Sequence, residues 1–371
     1  MCEKRTTLDV FKLMEKWAPK TLAYEWDPVG MQVGSYKKTV ETILVTLDVT
    51  EAVVDEAINN NVDLIIAHHP LLFKPIKQLD LDLPQGRIIQ KLLQHDITVY
   101  ASHTNLDIAQ GGVNDLLGDA LNIKKRRPLI QTYREPLYKI AVFVPKSHVH
   151  EVMDALSISG AGHIGNYSHC TFQTAGQGTF KPLEGTNPFI GEVNDLTSVA
   201  EMKIETIVEH SKLEHAVNAM VHAHPYEEVA YDVYPLKNKG MPYGLGRIGQ
   251  LERAKSLKWL CHKVKQAFDV PAVRVVGDLT KNVKKVAIIG GSGEKYIGDA
   301  YKAKVDVLVT GDITFHAAQT AQEMGLSIID PGHHIEKIMI EATKTYLVNI
   351  LREESIEVIA SKINTEPFQF I

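Results

Sequence analysis

The sequence predicts an α/β protein with two similar α/β lobes, the product of an internal duplication, and a ferredoxin-like α+β domain inserted between them. Three observations predict this class. A β-α-β-α-β order of buried strands and amphipathic helices occurs early in the chain, and the same order returns late. A β-α-β-β-α-β order lies between the two. Short apolar strands separated by helices imply parallel sheets covered on both faces.

In chain order, a helix is expected over Thr7–Trp17, where Leu8, Phe11, Met14 and Trp17 share a face and Thr6 or Thr7 can cap it. Thr42–Leu47 reads as a buried strand, and Thr50 can cap a helix carrying Val53, Val54, Ala57 and Ile58. Asp63–Ala67 is the next strand, and a helix over Arg87–His95 leads to a strand over Ile97–Ala101. In the late copy the strands are Val286–Ile289, Asp306–Thr310 and Leu326–Ile329, with a helix over about 314–324. Asp63–Ala67 lies over Asp306–Thr310, and Ile97–Tyr100 over Leu326–Ile329. Continued without a gap, that register puts Asp107 over Glu336.

Between the copies, Tyr138–Val144, Cys170–Ala175, Lys203–Glu209 and Glu228–Tyr234 read as strands, and Val149–Leu156 and Leu213–His222 as helices. Gly176–Asn187, rich in Gly, Thr and Pro, reads as a loop or hairpin tip. The expected domains are residues 1–131, 132–238 and 239–371.

Composition excludes several classes. Apolar content of 44% and charged content of 23% are those of an ordinary globular protein. A net charge of −5 leaves no basic footprint for nucleic acid or a membrane surface. The dense basic run Lys124-Lys125-Arg126-Arg127 reads as a solvated loop rather than a phosphate patch. The three cysteines, Cys2, Cys170 and Cys261, form no Cys-x-x-Cys, so neither a disulfide framework nor a thiolate zinc site is supported. No signal peptide and no apolar run of about 20 residues is found, and a soluble, cytoplasmic protein is expected.

The sixteen histidines carry most of the chemical signal. His68-His69-Pro70 directly follows a buried strand, and ligands collect at the carboxyl ends of parallel strands. His103-Thr104-Asn105-Leu106-Asp107 follows a second strand and Gly332-His333-His334-Ile335-Glu336 a third. His333 and Glu336 share a face of one helical turn. Each string alone is usually structural, but together they offer His68, His69, Asp107, His333 and Glu336. That set exceeds one tetrahedral site and suits a pair of divalent ions, Zn, Fe or Mn, flanked by the lobes. His334 is a competing donor. Asp312 and His316, four apart at a strand–helix junction, are read either as acid–base or supporting groups or as a plain helix start. His103 is read as a cleft residue or a hydrogen-bonded turn histidine. Gly290-Gly291-Ser292-Gly293 lacks a P-loop ending and reads as a tight strand-to-helix turn. His222, His224, Glu227 and Glu228 read as structural, and Trp26 and Asp27 as structural or at the cleft mouth. No Ser-His-Asp or Cys-His pattern is present.

These strings resemble the Nif-three-like family, whose members are labelled GTP cyclohydrolase I type 2 homologues. Trp26-Asp27-Pro28-Val29-Gly30-Met31-Gln32-Val33-Gly34 is similar to its N-terminal motif. Ala67–Pro70, His103–Asp107, Thr310-Gly311-Asp312 with His316, and Gly332-His333 with Glu336 match its later ones. The resemblance implies two metals between similar lobes, with His68, His69, Asp107, His333 and Glu336 as ligands. Gly165–Cys170 and His224–Asp232 resemble the PII- or CutA-like insert of longer members. The resemblance also implies a toroidal homohexamer with the insert over its openings.

Two functional expectations follow. The first is a metal-dependent hydrolase acting on a nucleotide or phosphoester, with His103, His316 or Asp312 moving protons. The second is a non-catalytic, ring-shaped metal-binding or regulatory protein whose insert senses a small molecule.

Overall fold

The computed structural model describes residues 4–371, so Cys2 lies outside it. The chain forms two compact units: one holds the chain up to Tyr133 and from Tyr243 onward, the other Arg134–Pro242. Among the described residues no helix is long and apolar enough to cross a membrane.

In the first unit the chain runs α1 (Thr7–Trp17), β1 (Gly30–Val33), β2 (Thr42–Thr46), α2 (Glu51–Asn59), β3 (Leu64–Ala67), α3 (Pro84–Gln94), β4 (Thr98–Ala101), α4 (Thr104–Ile108), α5 (Val113–Ala120) and β5 (Lys124–Arg134). The second unit holds β6 (Leu137–Pro145), α6 (Val149–Ile158), β7 (Thr171–Phe180), β8 (Thr197–Glu209), α7 (His210–Ala223) and β9 (Tyr231–Leu236). The chain then continues through β10 (Pro242–Ser256), α8 (Leu257–Phe268), β11 (Arg274–Val276), β12 (Asn282–Ser292), α9 (Ile297–Lys302) and β13 (Val307–Gly311). It closes with α10 (Phe315–Glu323), β14 (Ser327–Asp330), a 3₁₀ turn over His333–Lys337, α11 (Ile338–Leu351) and β15 (Glu357–Ala360).

The first unit has two sheets, ordered β1-β4-β3-β2-β15 and β11-β14-β13-β12-β10-β5. In both, three successive strands are parallel: β2-β3-β4 and β12-β13-β14. An antiparallel strand flanks each set, β1 on β4 and β11 on β14. The registers correspond: Ile43 pairs with Leu64 and Leu64 with Thr98, as Val286 pairs with Val307 and Val307 with Ser327. Asp63 accepts the amides of Glu41 and Thr42 on one carboxylate oxygen, and Asp306 those of Lys284 and Lys285.

One apolar core spans both sheets. It joins Phe11, Ile43 and Leu64 to Val286, Leu308 and Met339, which is why the early and late segments form one unit rather than separate bodies. Arg247 is buried beside it. Its guanidinium donates twice to Asp115 at 2.8 Å and also reaches the carbonyls of Gly244, Gly246 and Ala109.

Four local expectations are corrected. Lys124–Arg127 is not a loop: it opens β5, where Arg126 pairs with Asp119 while Lys124, Lys125 and Arg127 face solvent. Gly176 does not begin a loop, because β7 runs on to Phe180, held in register by β8. The segment Gly290–Ser292 is still strand, with a register shift against β13 between Ile288 and Ser292, and the turn comes at Gly293. The inserted unit begins and ends a few residues later than expected, because β5 and β10 extend the larger unit's sheet to its edge.

In the second unit a four-stranded sheet, ordered β7-β8-β6-β9, carries α6 and α7 on one face. Ile140, Val142, Val144, Ile204 and Val208 fill that face with Leu156 and Met220.

Candidate metal centre

Three strand ends deliver the cluster, β3 and β4 of one sheet and β14 of the other. His68 and His69 leave β3, whose end is fixed by amides donating to Thr46 and Leu47 carbonyls. His103 and Asp107 follow β4, the latter on the short helix α4. His333 and Glu336 stand on the 3₁₀ turn after β14. Among the described residues three ligand-atom groups form, each within 4.8 Å: His68 with His69 and His103, His69 with His333 and Glu336, and His68 with Asp107 and Glu336. All five residues expected from the sequence therefore meet, and His103 joins them.

Each imidazole is held on its far side. His68 donates through Nδ1 to the Ser102 carbonyl at 2.8 Å. His69 Nδ1 is 2.6 Å from Asp48, His103 Nδ1 is 3.0 Å from Asp27, and His333 Nδ1 is 2.7 Å from Asp312. Such partners fix ring orientation and tautomer, leaving Nε2 for a metal. Asp48 is itself held by Thr365, and Asp27 by the amide and hydroxyl of Thr104. Burial opposes the charge on Asp48 and Asp27, but the histidine hydrogen bonds prevail and hold both below the usual carboxylate range.

The centre is buried and electrostatically uneven. Glu336 Oε2 lies 3.0 Å from His69 Nε2 and 3.2 Å from His333 Nε2. Burial would raise Glu336, but the imidazoles of His333, His68 and His69 hold it well below its ordinary value. Asp107 shares the space without a hydrogen bond on Oδ1, and burial with the Glu336 charge pushes it up to about 8. Burial would lower His69 and His333. Hydrogen bonds to Asp48 and Glu336 nonetheless lift His69 to about 10, and Glu336 with Asp312 lifts His333 to about 9.

The donor set fits a metal on the structure's own terms. His68 Nε2 and Asp107 Oδ1 are buried with no hydrogen-bond partner, and buried polar groups ordinarily have one. Glycine makes the approach possible. A Cβ on Gly291, at φ +59°, would sit 2.5 Å from Glu336 Oε1 and 3.0 Å from His333 Nε2. Imidazoles with carboxylates suit Zn, Fe or Mn.

Other expected residues fall differently. His334 turns away from the cluster, its Nε2 3.4 Å from Thr365 Oγ1. Asp312 orients His333 rather than standing free as an acid or base. His316 is brought to nothing in the centre: its ring contacts Gln319 on the exposed face of α10. In the second unit His224 is a structural residue, bonded to the Phe143 carbonyl and the Tyr226 amide.

Asp48 escaped the sequence reading, although it directly follows a predicted strand, where carboxylates earn scrutiny. The wall of the adjoining cleft also escaped, Trp26 apart. The cleft, of about 730 Å³, is bordered by Tyr24, Trp26, Phe73, Lys295 and Tyr296 as well as the cluster. Tyr24 and Trp26 stack at 5.6 Å, and the Lys295 ammonium lies within 6.0 Å of both rings and 5.0 Å from Tyr296. No local periodicity reports an aromatic pair meeting a lysine so far along the chain.

Comparison with known proteins agrees with the resemblance. The family described as Duf34/NIF3 (NGG1p interacting factor 3) matches residues 6–367. A Halalkalibacterium halodurans protein named GTP cyclohydrolase 1 type 2 homolog is 50% identical over 364 residues, covering 98% of each chain. A Bacillus subtilis protein of the same name is 48% identical, with the same coverage. The crystal structure of a Bacillus cereus protein related to NIF3 superposes with a TM-score of 0.94 at 47% identity, covering all of both chains.

Proposed function

The chain belongs to the Duf34/NIF3 family, and from that footing we propose that it is a two-metal hydrolase acting on a nucleotide or phosphoester. The observation that carries the reading is the convergence of four imidazoles, each pinned at Nδ1, on two buried carboxylates. His68, His69, Asp107, His333 and Glu336 would hold the cations, of Zn, Fe or Mn type. When bound, such cations supply Lewis acidity and a water acidified towards neutral pH.

The chain's own groups do the rest. Asp48 and Asp312 orient the imidazoles of His69 and His333. His103, backed by Asp27 and facing the cleft, holds or passes a proton at Nε2. The Tyr24–Trp26 stack offers a flat surface to a planar body, and Lys295 a positive charge to an anionic group. The relatives' name points to GTP, whose ring opening needs water delivered to the purine C8. Phosphoester hydrolysis asks for the same groups and less base recognition.

The wider reading has its own supports. The matched registers of the two sheets, and the equal spacing of Asp107 beyond Thr98 and Glu336 beyond Ser327, favour duplicated lobes. The strand order of Arg134–Pro242 favours a ferredoxin-like insert of PII or CutA type. A toroidal homohexamer in the cytoplasm completes the proposal.

The test is metal content per chain, followed by a screen of nucleotides and phosphoesters with added Mn²⁺ or Zn²⁺. Turnover that disappears in His69→Ala supports the hydrolase. Full loading with no turnover on any substrate overturns it in favour of a non-catalytic metal-binding protein.

A further inference from the structure

The second unit contains a pocket of about 570 Å³ that the proposed reaction does not use. It lies on the sheet face away from α6 and α7. Alternation along the strands sends Ile204 and Val142 into the helical core and Phe143, Glu201 and Lys203 to the opposite face. The segment 181–196, between β7 and β8, curls over that face and closes the pocket. Its placement is fixed: the Asn187 amide donates to Glu227 at 3.0 Å, and the Asn194 amide to the Pro182 carbonyl at 2.7 Å.

The lining is aromatic with one buried charge. Phe180 and Phe189 contribute rings that contact Tyr226, at centroid distances of 5.7 and 6.3 Å. Glu201 reaches into this apolar surround at only 8% exposure. One of its oxygens accepts the Tyr226 hydroxyl at 3.0 Å. Among the described residues its other oxygen receives no hydrogen bond, and no cationic side chain pairs with it. Lys203, its neighbour on the same face, is turned to Glu205 at 3.6 Å. Gly178 keeps the space open, since a Cβ there would clash with Glu201 Oε2.

A carboxylate buried among rings without a cation is costly unless something pairs with it. Aromatic faces attract cations as well. We propose that this pocket binds a small organic cation with a flat apolar body, an amidine or comparable N–H-rich head, which Glu201 grips and the rings of Phe180, Phe189 and Tyr226 enclose. The site stands apart from the proposed hydrolysis and does not depend on it.

The probe is 4-aminobenzamidine, titrated into the full-length, metal-loaded protein and followed by its fluorescence. Saturable binding is expected, with benzamide and benzoate, which keep the ring and lose the cationic head, failing to compete. Glu201→Gln, which keeps the shape and the tyrosine contact, should weaken binding by about tenfold to a hundredfold, as for a lost charge-assisted hydrogen bond. Gly178→Ala should do the same by displacing the carboxylate. Binding should be unchanged in His69→Ala, and metal content unchanged in Glu201→Gln. The proposal is overturned by absence of saturation at millimolar probe, by equal competition from benzamide, or by unaltered affinity in Glu201→Gln. It is likewise overturned if the probe binds only when the protein is dissociated, which would show that a second copy of the chain fills the pocket.

Discussion

His68 Nε2 and Asp107 Oδ1 face each other at 3.7 Å, both buried and neither hydrogen-bonded. Each lost interaction costs about 1–3 kcal/mol, and a divalent cation held by both residues would recover it. Zinc or manganese should therefore raise the thermal midpoint, by about 2.7 kcal/mol of stability at a hundred times the dissociation constant. Asp107→Asn should act oppositely in the two states. It should bind less metal, yet be more stable than the parent in chelator, because it removes a carboxyl group that must take up a proton to be buried at neutral pH. Calorimetry with and without chelator checks this, and a destabilised, fully loaded variant would refute it.

Loading should release protons. At neutral pH the empty centre holds protons on His69 (about 10), His333 (about 9) and Asp107 (about 8). The histidines' folded values are raised, so their stabilisation is complete below about 6.5 and is lost as pH rises through 9 to 10. Asp107, also raised, loses stability from its ordinary range up to about 8. The metal-free protein should weaken between pH 7 and 10 while metal affinity climbs. Titration calorimetry in buffers of different ionisation enthalpy measures the protons released; a buffer-independent heat would contradict the assignment.

Gly291→Ala should abolish or cripple metal uptake while leaving the sheets intact. Its Cβ would meet Glu336 and His333 at 2.5 and 3.0 Å, in a backbone conformation L-residues avoid. Metal content and far-ultraviolet circular dichroism distinguish loss of the centre from loss of the fold.

Asp48→Asn should reduce metal affinity roughly 10- to 100-fold without touching the metal, because it loosens His69. Competition with a chromophoric chelator reads this directly. Parental affinity would mean that His69 needs no anchor.

Arg247→Ala should destabilise the larger unit by about 3–5 kcal/mol, since it takes from Asp115 its nearest cation, leaving Arg126 at 3.5 Å, and unpairs several buried carbonyls. Burial opposes the Asp115 charge, but Arg247 holds its carboxyl below the usual range. The folded value is depressed, so this stabilisation is present above about 3.9 and fades as pH falls through the folded value. Denaturant midpoints at pH 7 and pH 3 should differ less in the variant than in the parent.

Strand-and-helix periodicity made β2, β3, β4, β13 and β14 legible, because each is a short apolar run between helices. The candidate ligands were legible because they follow β3, β4 and β14 within a few residues. By contrast β5, β10 and β12 were missed or cut short: long strands with Lys, Arg and Gly lack an apolar run, and sheet pairing alone holds them extended. His316 misled through spacing, since four residues from Asp312 on a helix says nothing about which side the helix turns to the cleft. Asp48, and the role of Asp27, became visible only through the histidines they hold, contacts that no sequence distance encodes.

The placement of β15 has a consequence for biosynthesis. This strand pairs in parallel with β2, Glu357 opposite Thr42, and just beyond it Thr365 holds Asp48. A nascent chain that has not yet emerged past residue 365 leaves the first sheet with an open edge and His69 with an unsupported anchor. Contacts so distant in sequence close slowly, after the loop entropy of everything between has been overcome. Any cation capture by the proposed centre would thereby wait on the final stage of maturation, although His68, His69 and Asp107 are made early.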